Sequence, residues 1–140
     1  MPARNIPLVE DVSELNKRKV RLFVEAVWNQ GRLELIDELV AADYTGCFSR
    51  LRPRVLGPEG VRQLVSNRRR AYPELYVKIE DQIAEDDRVV TRWRAAAEAN
   101  GGAGVGCMRH CSGISIVRLL AGKQVDSHTE MHDDRIDATG

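Results

Sequence analysis

The apolar pattern of this chain changes its period once, near Pro73, and that change restricts the folds open to it. Before Pro73 apolar residues recur every three or four positions, which is typical of amphipathic helices. After Pro73 they recur at every second position, which is typical of strands with one buried face. Helices followed by a run of strands predict an α+β domain, with the helices packed on one face of a mainly antiparallel sheet.

The part before Pro73 predicts three helices. Ser13 can cap the first helix, and an Asn-Gln-Gly sequence ends it at 29–31. Pro58 suits the first turn of the third helix, which ends near Tyr72 because proline disfavours helical conformation in the residue before it. The predicted helices cover about 13–30, 32–41 and 58–72, with a short strand or turn at 43–48.

The part after Pro73 predicts three or four antiparallel strands. Four glycines within 100–106 indicate a hairpin tip or a flexible loop, and a short Ala-Gly-Lys turn joins the last two strands. The predicted strands cover 76–83, 89–97, 114–120 and 124–131.

The length of 140 residues predicts one domain. Residues 1–12 contain two prolines and no periodicity, so they are expected to form a flexible arm. The domain itself is expected to cover 13–133, and the polar residues 134–140 are expected to form a tail.

The charge balance excludes two classes of partner. Twenty-one basic and 21 acidic residues give no net charge, which argues against nucleic-acid binding and against a polybasic membrane anchor. No apolar run approaches the roughly 20 residues of a membrane span, and no signal peptide is evident. We therefore expect a cytoplasmic protein, and the odd number of cysteines, 3, fits reduced thiols.

One cluster of potential metal ligands stands out in the sequence. Cys107, His110 and Cys111 have a spacing that could bind zinc. The second ligand pair of a structural zinc site is missing, so free thiols are the preferred interpretation. We expect neither a metal nor a cofactor.

Seven segments in order resemble the SnoaL-like polyketide cyclases, over roughly residues 15–133. The segments are FVEAVWNQG at 23–31, LVAADY at 39–44, GPEGVR at 57–62, AYPEL at 71–75, DRVVTRW at 87–93, GISIVR at 113–118 and GKQV at 122–125. The resemblance implies the α+β cone shared with ketosteroid isomerase, scytalone dehydratase and limonene epoxide hydrolase. In that fold three helices pack in the concave face of a curved sheet, around a deep apolar cavity, usually in a dimer.

The resemblance also implies where an acid–base pair would lie. The family's usual histidine falls at Ser115 and its usual aspartate at Thr129, so neither position is ionisable here. His128 replaces the usual tryptophan, and an alanine-rich run at 95–99 replaces the usual glycine-threonine-histidine. These departures argue against the standard mechanism of the family, which needs an ionisable base beside a ketone.

The last strand offers two candidate faces. In the family register Val125, Ser127, Thr129 and Met131 line the cavity, while Asp126, His128, Glu130 and His132 face solvent or a partner subunit. Alternatively, a bulge reverses the register and brings His128 and Glu130 into the cavity as a base and its orienting carboxylate. The His-x-Glu-x-His pattern could also bind a metal, although no further ligands are evident.

Other side chains complete the candidate site. Tyr44 could donate a hydrogen bond to an enolate oxygen, and His110 could act alone as a base. Trp93, on an inward face with Thr91, could form an aromatic wall or simply belong to the core. The candidate catalytic residues are His110, His128, Glu130 and Tyr44, and the candidate substrate-binding residues are Trp28, Cys47, Trp93, Ser115, Ser127, Thr129 and Met131.

Three functions remain open at this point. The preferred one is a cofactor-independent cyclase or isomerase that acts on a hydrophobic, carbonyl-bearing small molecule. The second is a non-catalytic domain that binds an apolar ligand, and the third is an epoxide hydrolase, which would need carboxylates where Trp93 and Ala95 stand.

The charges also suggest how two copies could associate. Residues 17–21 and 50–70 are rich in basic residues, whereas 126–137 is rich in acidic ones. We therefore expect a homodimer through the sheet, in which the acidic stripe of the last strand meets basic residues of the partner.

Overall fold

A computed structural model describes residues 11–48, 54–98 and 108–133. The expected arm up to residue 10, the glycine-rich segment at 100–106 and the expected tail at 134–140 lie outside these ranges. The described residues form three α-helices and a curved six-stranded sheet, so the predicted α+β cone is confirmed.

The helices precede most of the sheet, as the periodicity predicts. They are α1 at Val12–Leu22, continued by a π-helical turn at Phe23–Trp28; a 3₁₀ turn at Leu33–Leu35 that leads into α2 at Ile36–Leu39; and α3 at Gly57–Ala71. No helix in the described ranges is long and apolar enough to cross a membrane.

Two helix boundaries differ from the predictions. Asp11, not Ser13, caps α1, since its carboxylate accepts a hydrogen bond of 2.7 Å from the Ser13 backbone N–H. The second helix is short because the chain enters a strand at Val40, where the apolar run at 39–42 suits either structure.

The sheet has the order β2-β1-β6-β5-β4-β3. Its strands are β1 at Val40–Phe48, β2 at Val55–Leu56, β3 at Tyr76–Glu85, β4 at Arg88–Glu98, β5 at Met108–Leu120 and β6 at Lys123–Asp133. All neighbours are antiparallel except β1 and β6, which are parallel. The segment expected as a short strand or turn is thus a full strand, because it pairs with a partner some 80 residues later.

The register of the last three strands positions the site. Thr91 on β4 lies opposite Ser115 on β5, and Ser115 lies opposite Thr129 on β6. The register shift between β5 and β6 lies at Arg118 and Leu119, next to the connecting turn, and leaves this row intact. Three hydroxyl side chains therefore follow one another across the sheet, about 5 Å apart from strand to strand.

Two groups of buried residues hold the helices on the concave face. The first joins α2, α3 and β1 around Val27, Ile36 and Val65, all with no exposed surface. The second joins α1 to β4 and β5 through Val20 and Val117, together with their neighbours. The apolar side of each helix packs against the sheet, and this contact supplies most of the apolar burial that stabilises the fold.

Candidate functional site

A cavity of about 360 Å³ lies between the helices and the concave face of the sheet. Its wall is largely apolar and comes from every layer of the fold. Representative wall residues are Val20, Phe23, Leu64, Leu75, Val77 and Val117. Apolar cavities of this size with a few placed polar groups are typical small-molecule sites.

The polar floor of the cavity is the hydroxyl row of Thr91, Ser115 and Thr129. The Trp93 indole Nε1–H donates to Ser115 Oγ at 3.0 Å, and Ser115 Oγ lies 2.9 Å from Thr129 Oγ1. At the far end, Thr91 Oγ1 accepts a hydrogen bond of 3.3 Å from Gln82 Nε2. Thr91 and Thr129 are almost fully buried, with 1% and 4% of their surface exposed.

A second pair of hydroxyls lies beside this row. Tyr44 Oη and Ser127 Oγ are 2.6 Å apart, and both side chains line the cavity. Burial raises the pKa of the Tyr44 phenol above its ordinary value, although the hydrogen bond with Ser127 acts in the opposite direction. Tyr44 is therefore a neutral hydroxyl at physiological pH.

Two glycines make room for the aromatic rings of the site. A Cβ atom at Gly113 would meet the Trp93 ring, and one at Gly46 would meet the Tyr44 ring. Gly113 lies directly opposite Trp93 on the neighbouring strand, so the indole lies over a residue without a side chain. This close approach holds Trp93 where its Nε1–H reaches Ser115.

The hydrogen bonds of the floor leave hydrogens unused. Trp93 Nε1–H can only donate, so Ser115 Oγ accepts from it. Ser115 and Thr129 have two hydroxyl hydrogens, and the hydrogen bond between them uses one of these. The same holds for Tyr44 and Ser127. Each pair therefore retains one hydrogen that can be donated into the cavity.

Gln124 adds a further unused polar group. Its side chain is 4% exposed and lines the cavity, and within the described residues its amide makes no side-chain hydrogen bond. Among the described residues no buried side-chain nitrogen or oxygen atom lacks a partner, so the Gln124 amide lies against the open space of the cavity, where a ligand can reach it.

Six of the seven predicted substrate-binding residues lie together in the cavity lining, as does Tyr44. The six are Trp28, Trp93, Ser115, Ser127, Thr129 and Met131. Their roles toward a ligand stay predictions. The expected register of β6 holds from Ser127 to Met131. Val125 does not line the cavity, because the register shift turns Gln124 inward in its place, and His132 borders the cavity although it was expected on the outer face.

His128 and Glu130 are corrections to the predicted site. Both lie on the outer face of β6, where His128 Nε2 is 2.6 Å from Glu130 Oε2. Their side chains are 54% and 64% exposed. The proposed bulge that would turn them inward is wrong, because Ser115 pairs with Thr129 and Ile116 with His128 in an unbroken ladder. Neither side chain can act as a base within the cavity.

Cys47 lies elsewhere than expected, whereas His110 lies in the cavity lining. Cys47 alternates with Tyr44, Gly46 and Phe48 along β1, so its side chain is on the opposite strand face and does not line the cavity. His110 borders the mouth of the cavity and is exposed, on the strand face opposite that of Ser115. It lies at the entrance and away from the hydroxyl floor.

Metal binding has no support in the described ranges. No group of three or more His, Cys, Asp or Glu side chains there could hold a metal ion. Cys107, one member of the cluster considered from the sequence, lies outside these ranges.

Sequence reasoning missed Gln124 and Arg68 as cavity residues. Strand alternation assigns Gln124 to the outer face, but the register shift at the start of β6 turns it inward. Arg68 is spaced with Leu64 and Tyr72 on the inner stripe of α3, and this spacing was a usable signal. A basic run such as 68–70 is more typical of a solvated helix face.

Comparison with protein families now adds to the geometry. The family model described as SnoaL-like polyketide cyclase matches residues 18–134. No curated protein matches the chain significantly.

Solved structures share the fold at low sequence identity. A candidate polyketide cyclase from Acidithiobacillus ferrooxidans is 22% identical, with a TM-score of 0.76 over 91% of this chain and 93% of that one. A candidate SnoaL-like polyketide cyclase from Jannaschia sp. CCS1 is 19% identical, with a TM-score of 0.75 over 99% and 95%. An epoxide hydrolase of the LEH-like type from M. tuberculosis is 15% identical, with a TM-score of 0.72 over 87% and 86%.

Proposed function

The chain belongs to the SnoaL-like polyketide cyclase family, and from that premise we propose that its cavity binds a small hydrophobic molecule through a carbonyl oxygen. The unused hydroxyl hydrogens at Ser115–Thr129 and Tyr44–Ser127 carry the proposal, because each calls for an acceptor on the ligand. The apolar wall then surrounds the hydrocarbon part of the molecule.

Binding is favoured over the family's cofactor-independent acid–base chemistry for one reason. The resemblance implies that the family's ionisable pair falls at Ser115 and Thr129, and neither of these hydroxyls is a base at neutral pH. Among the described lining residues there is no carboxylate, which also argues against an epoxide hydrolase.

A cyclase or isomerase is the second candidate, and the neutral Tyr44 hydroxyl favours it. A buried donor of this kind stabilises negative charge on an enolate oxygen. In such an enzyme Tyr44 and Ser127 would polarise the carbonyl, and the proton acceptor would come from the cavity mouth, where His110 lies.

We expect the apolar ketone β-tetralone to bind and to change the tryptophan fluorescence, since both tryptophans of the chain line the cavity. Thr129→Val removes the hydroxyl on β6 and leaves Ser115 as the remaining donor of that pair, one strand further away. Ketone binding should therefore weaken, by up to the fivefold that one neutral hydrogen bond of about 1 kcal/mol is worth. The hydrocarbon tetralin, which has no carbonyl, should bind the variant and the wild type alike.

Ile114→Val on the outer face is the control, and it should bind both compounds like the wild type. Failure of both compounds to bind the wild type would contradict the cavity proposal. An equal loss for ketone and hydrocarbon in Thr129→Val would show that the hydroxyl row does not hold the carbonyl.

We further propose that two copies associate through the outer face of the sheet. Ile114 and Ile116 are 48% and 43% exposed there, beside the His128–Glu130 pair. Arg118 already lies 3.8 Å from Asp126, so apolar contact contributes more to this association than the predicted charge complementarity.

Ile116→Lys should convert this dimer to a monomer, because it places a positive charge on each copy in the middle of the shared face. Light scattering after gel filtration measures the mass directly. Ile83→Lys, an exposed position on the edge strand β3, is the matched control and should leave the dimer intact. A wild-type monomer at micromolar concentration would contradict the proposal.

A further inference from the structure

We propose that the cavity ligand carries a carboxylate and that Arg68 binds it. The inference rests on the proposed function and narrows its ligand class to apolar keto acids. The polar floor would hold the carbonyl oxygen, and Arg68 would hold the acid group.

Arg68 occupies an unusual place for a charged residue. It continues the inner stripe of α3 formed by Val61, Leu64 and Val65, and it lines the cavity with Tyr72, one turn further along. Its side chain is half-buried. An arginine in this position has an apolar stem against the wall and a guanidinium group within reach of a ligand.

The other arginines of α3 have partners within the protein. Arg62 pairs with Glu59 at 3.0 Å and Asp37 at 3.2 Å. Arg69 donates to the carbonyl oxygens of Trp28 and Asn29 at 2.7 and 3.1 Å, and Arg70 donates to Asn67. Arg68 has neither an ion pair nor a side-chain hydrogen bond with any residue in the described ranges.

The cavity does not supply the missing counter-charge. Its described lining contains Arg68 but no Asp or Glu, so a half-buried arginine stands without a carboxylate in the lining. Partial burial of an unpaired charge is unfavourable, and a carboxylate on the ligand would relieve it. The planar guanidinium group matches a carboxylate with two parallel hydrogen bonds.

Gln124 is an independent indication of a polar group on the ligand. Its side chain lines the same cavity, and its amide has no side-chain hydrogen bond in the described part of the chain. The Gln124 NH₂ group, the two unused hydroxyl hydrogens and the Arg68 guanidinium group are all donors that a carbonyl and a carboxylate could accept from. A keto acid has only acceptors at neutral pH, in two separate groups.

The test compares a stable biphenyl-substituted oxobutanoate with its uncharged methyl ester, by calorimetry at neutral pH. We expect the acid to bind the wild type about tenfold more tightly than the ester. Arg68→Met keeps the apolar stem and removes the charge, so it should weaken acid binding about tenfold and leave ester binding unchanged.

Arg70→Met removes the same charge from an exposed position of α3 and is the matched control. It should bind both compounds like the wild type. If the ester binds but Arg68→Met keeps the tenfold preference of the wild type for the acid, the anchor is overturned while the cavity proposal stands. If neither compound and no neutral ketone binds the wild type, the proposed function itself fails. If Arg70→Met loses as much acid binding as Arg68→Met, the effect comes from the net charge of the protein and not from a contact with Arg68, and the proposed role of Arg68 is wrong.

Discussion

Gly113→Ala should destabilise the folded protein by about 1–3 kcal/mol, a large effect for the addition of one methyl group. The new Cβ would meet the ring of Trp93 and would lie 2.8 Å from the Glu130 carbonyl oxygen. The ring could rotate away, but the carbonyl belongs to the backbone of the paired strand β6. Both the indole and the ladder must therefore move.

The same substitution should disturb the site as well as the fold. Displacing the Trp93 indole breaks its hydrogen bond to Ser115, which orients the hydroxyl row. Urea unfolding measures the stability change, and the tryptophan emission maximum of the folded variant reports the displaced ring. Ile114→Val on the same strand is the control, since its half-exposed side chain should change stability by less than about 1 kcal/mol. A Gly113→Ala variant as stable as the wild type would show that β5 and β6 can separate at little cost.

The fold followed from the sequence because its signals are local. Alternation along β4 and β5 predicts which of their residues face inward, and the Ala-Gly-Lys turn appears as a tight connection with positive φ at Ala121 and Gly122. The extent of β1 depended on a parallel partner distant in sequence. No local pattern reveals such pairing, so the strand was taken for part of a helix followed by a short strand or turn.

The site was predictable only in part, for the same physical reason. Alternation put Ser127 and Thr129 on one face of β6, and the family resemblance implied that this face lines the cavity, where the structure has both residues. Gln124 was missed because one register shift next to the turn places its side chain on the inner face of the sheet instead of the outer one. Arg68 was missed because a run of basic residues predicts a solvent-exposed helix face, although the spacing of Arg68 along α3 matches the buried stripe.

Thr129→Asp should give the cavity the proton-transfer activity that its own residues lack. The new carboxylate would replace a hydroxyl whose oxygen lies 2.9 Å from Ser115 Oγ, within the polar floor where we place the ligand carbonyl. A positioned general base contributes about 10²–10⁴-fold to proton abstraction. We therefore expect exchange of the α-protons of β-tetralone in deuterated water, followed by NMR, to accelerate about 100-fold or more over the wild type.

The pH dependence identifies the new group. Position 129 is 4% exposed, so burial should raise the pKa of the new carboxyl above its ordinary value. The exchange rate should rise with pH as the carboxyl ionises. The free energy of unfolding of this variant should fall as pH rises. The raised pKa means that the folded state binds the carboxyl proton more tightly than the unfolded state does, and this stabilisation is lost once the carboxyl ionises.

Thr129→Asn is the matched control, since asparagine has the shape of aspartate at the same buried position but cannot accept the proton. This variant should bind β-tetralone, and the α-protons of the ketone should exchange at the wild-type rate. Equal rates in the Asp and Asn variants, with ketone bound to both, would mean that the carbonyl lies away from β6. Fast exchange by the wild-type protein would mean that a base already acts on the ligand, and the cyclase or isomerase function would replace simple binding. The comparison of these three proteins thus decides between the two proposed functions at a position where the resemblance to the family implies an aspartate.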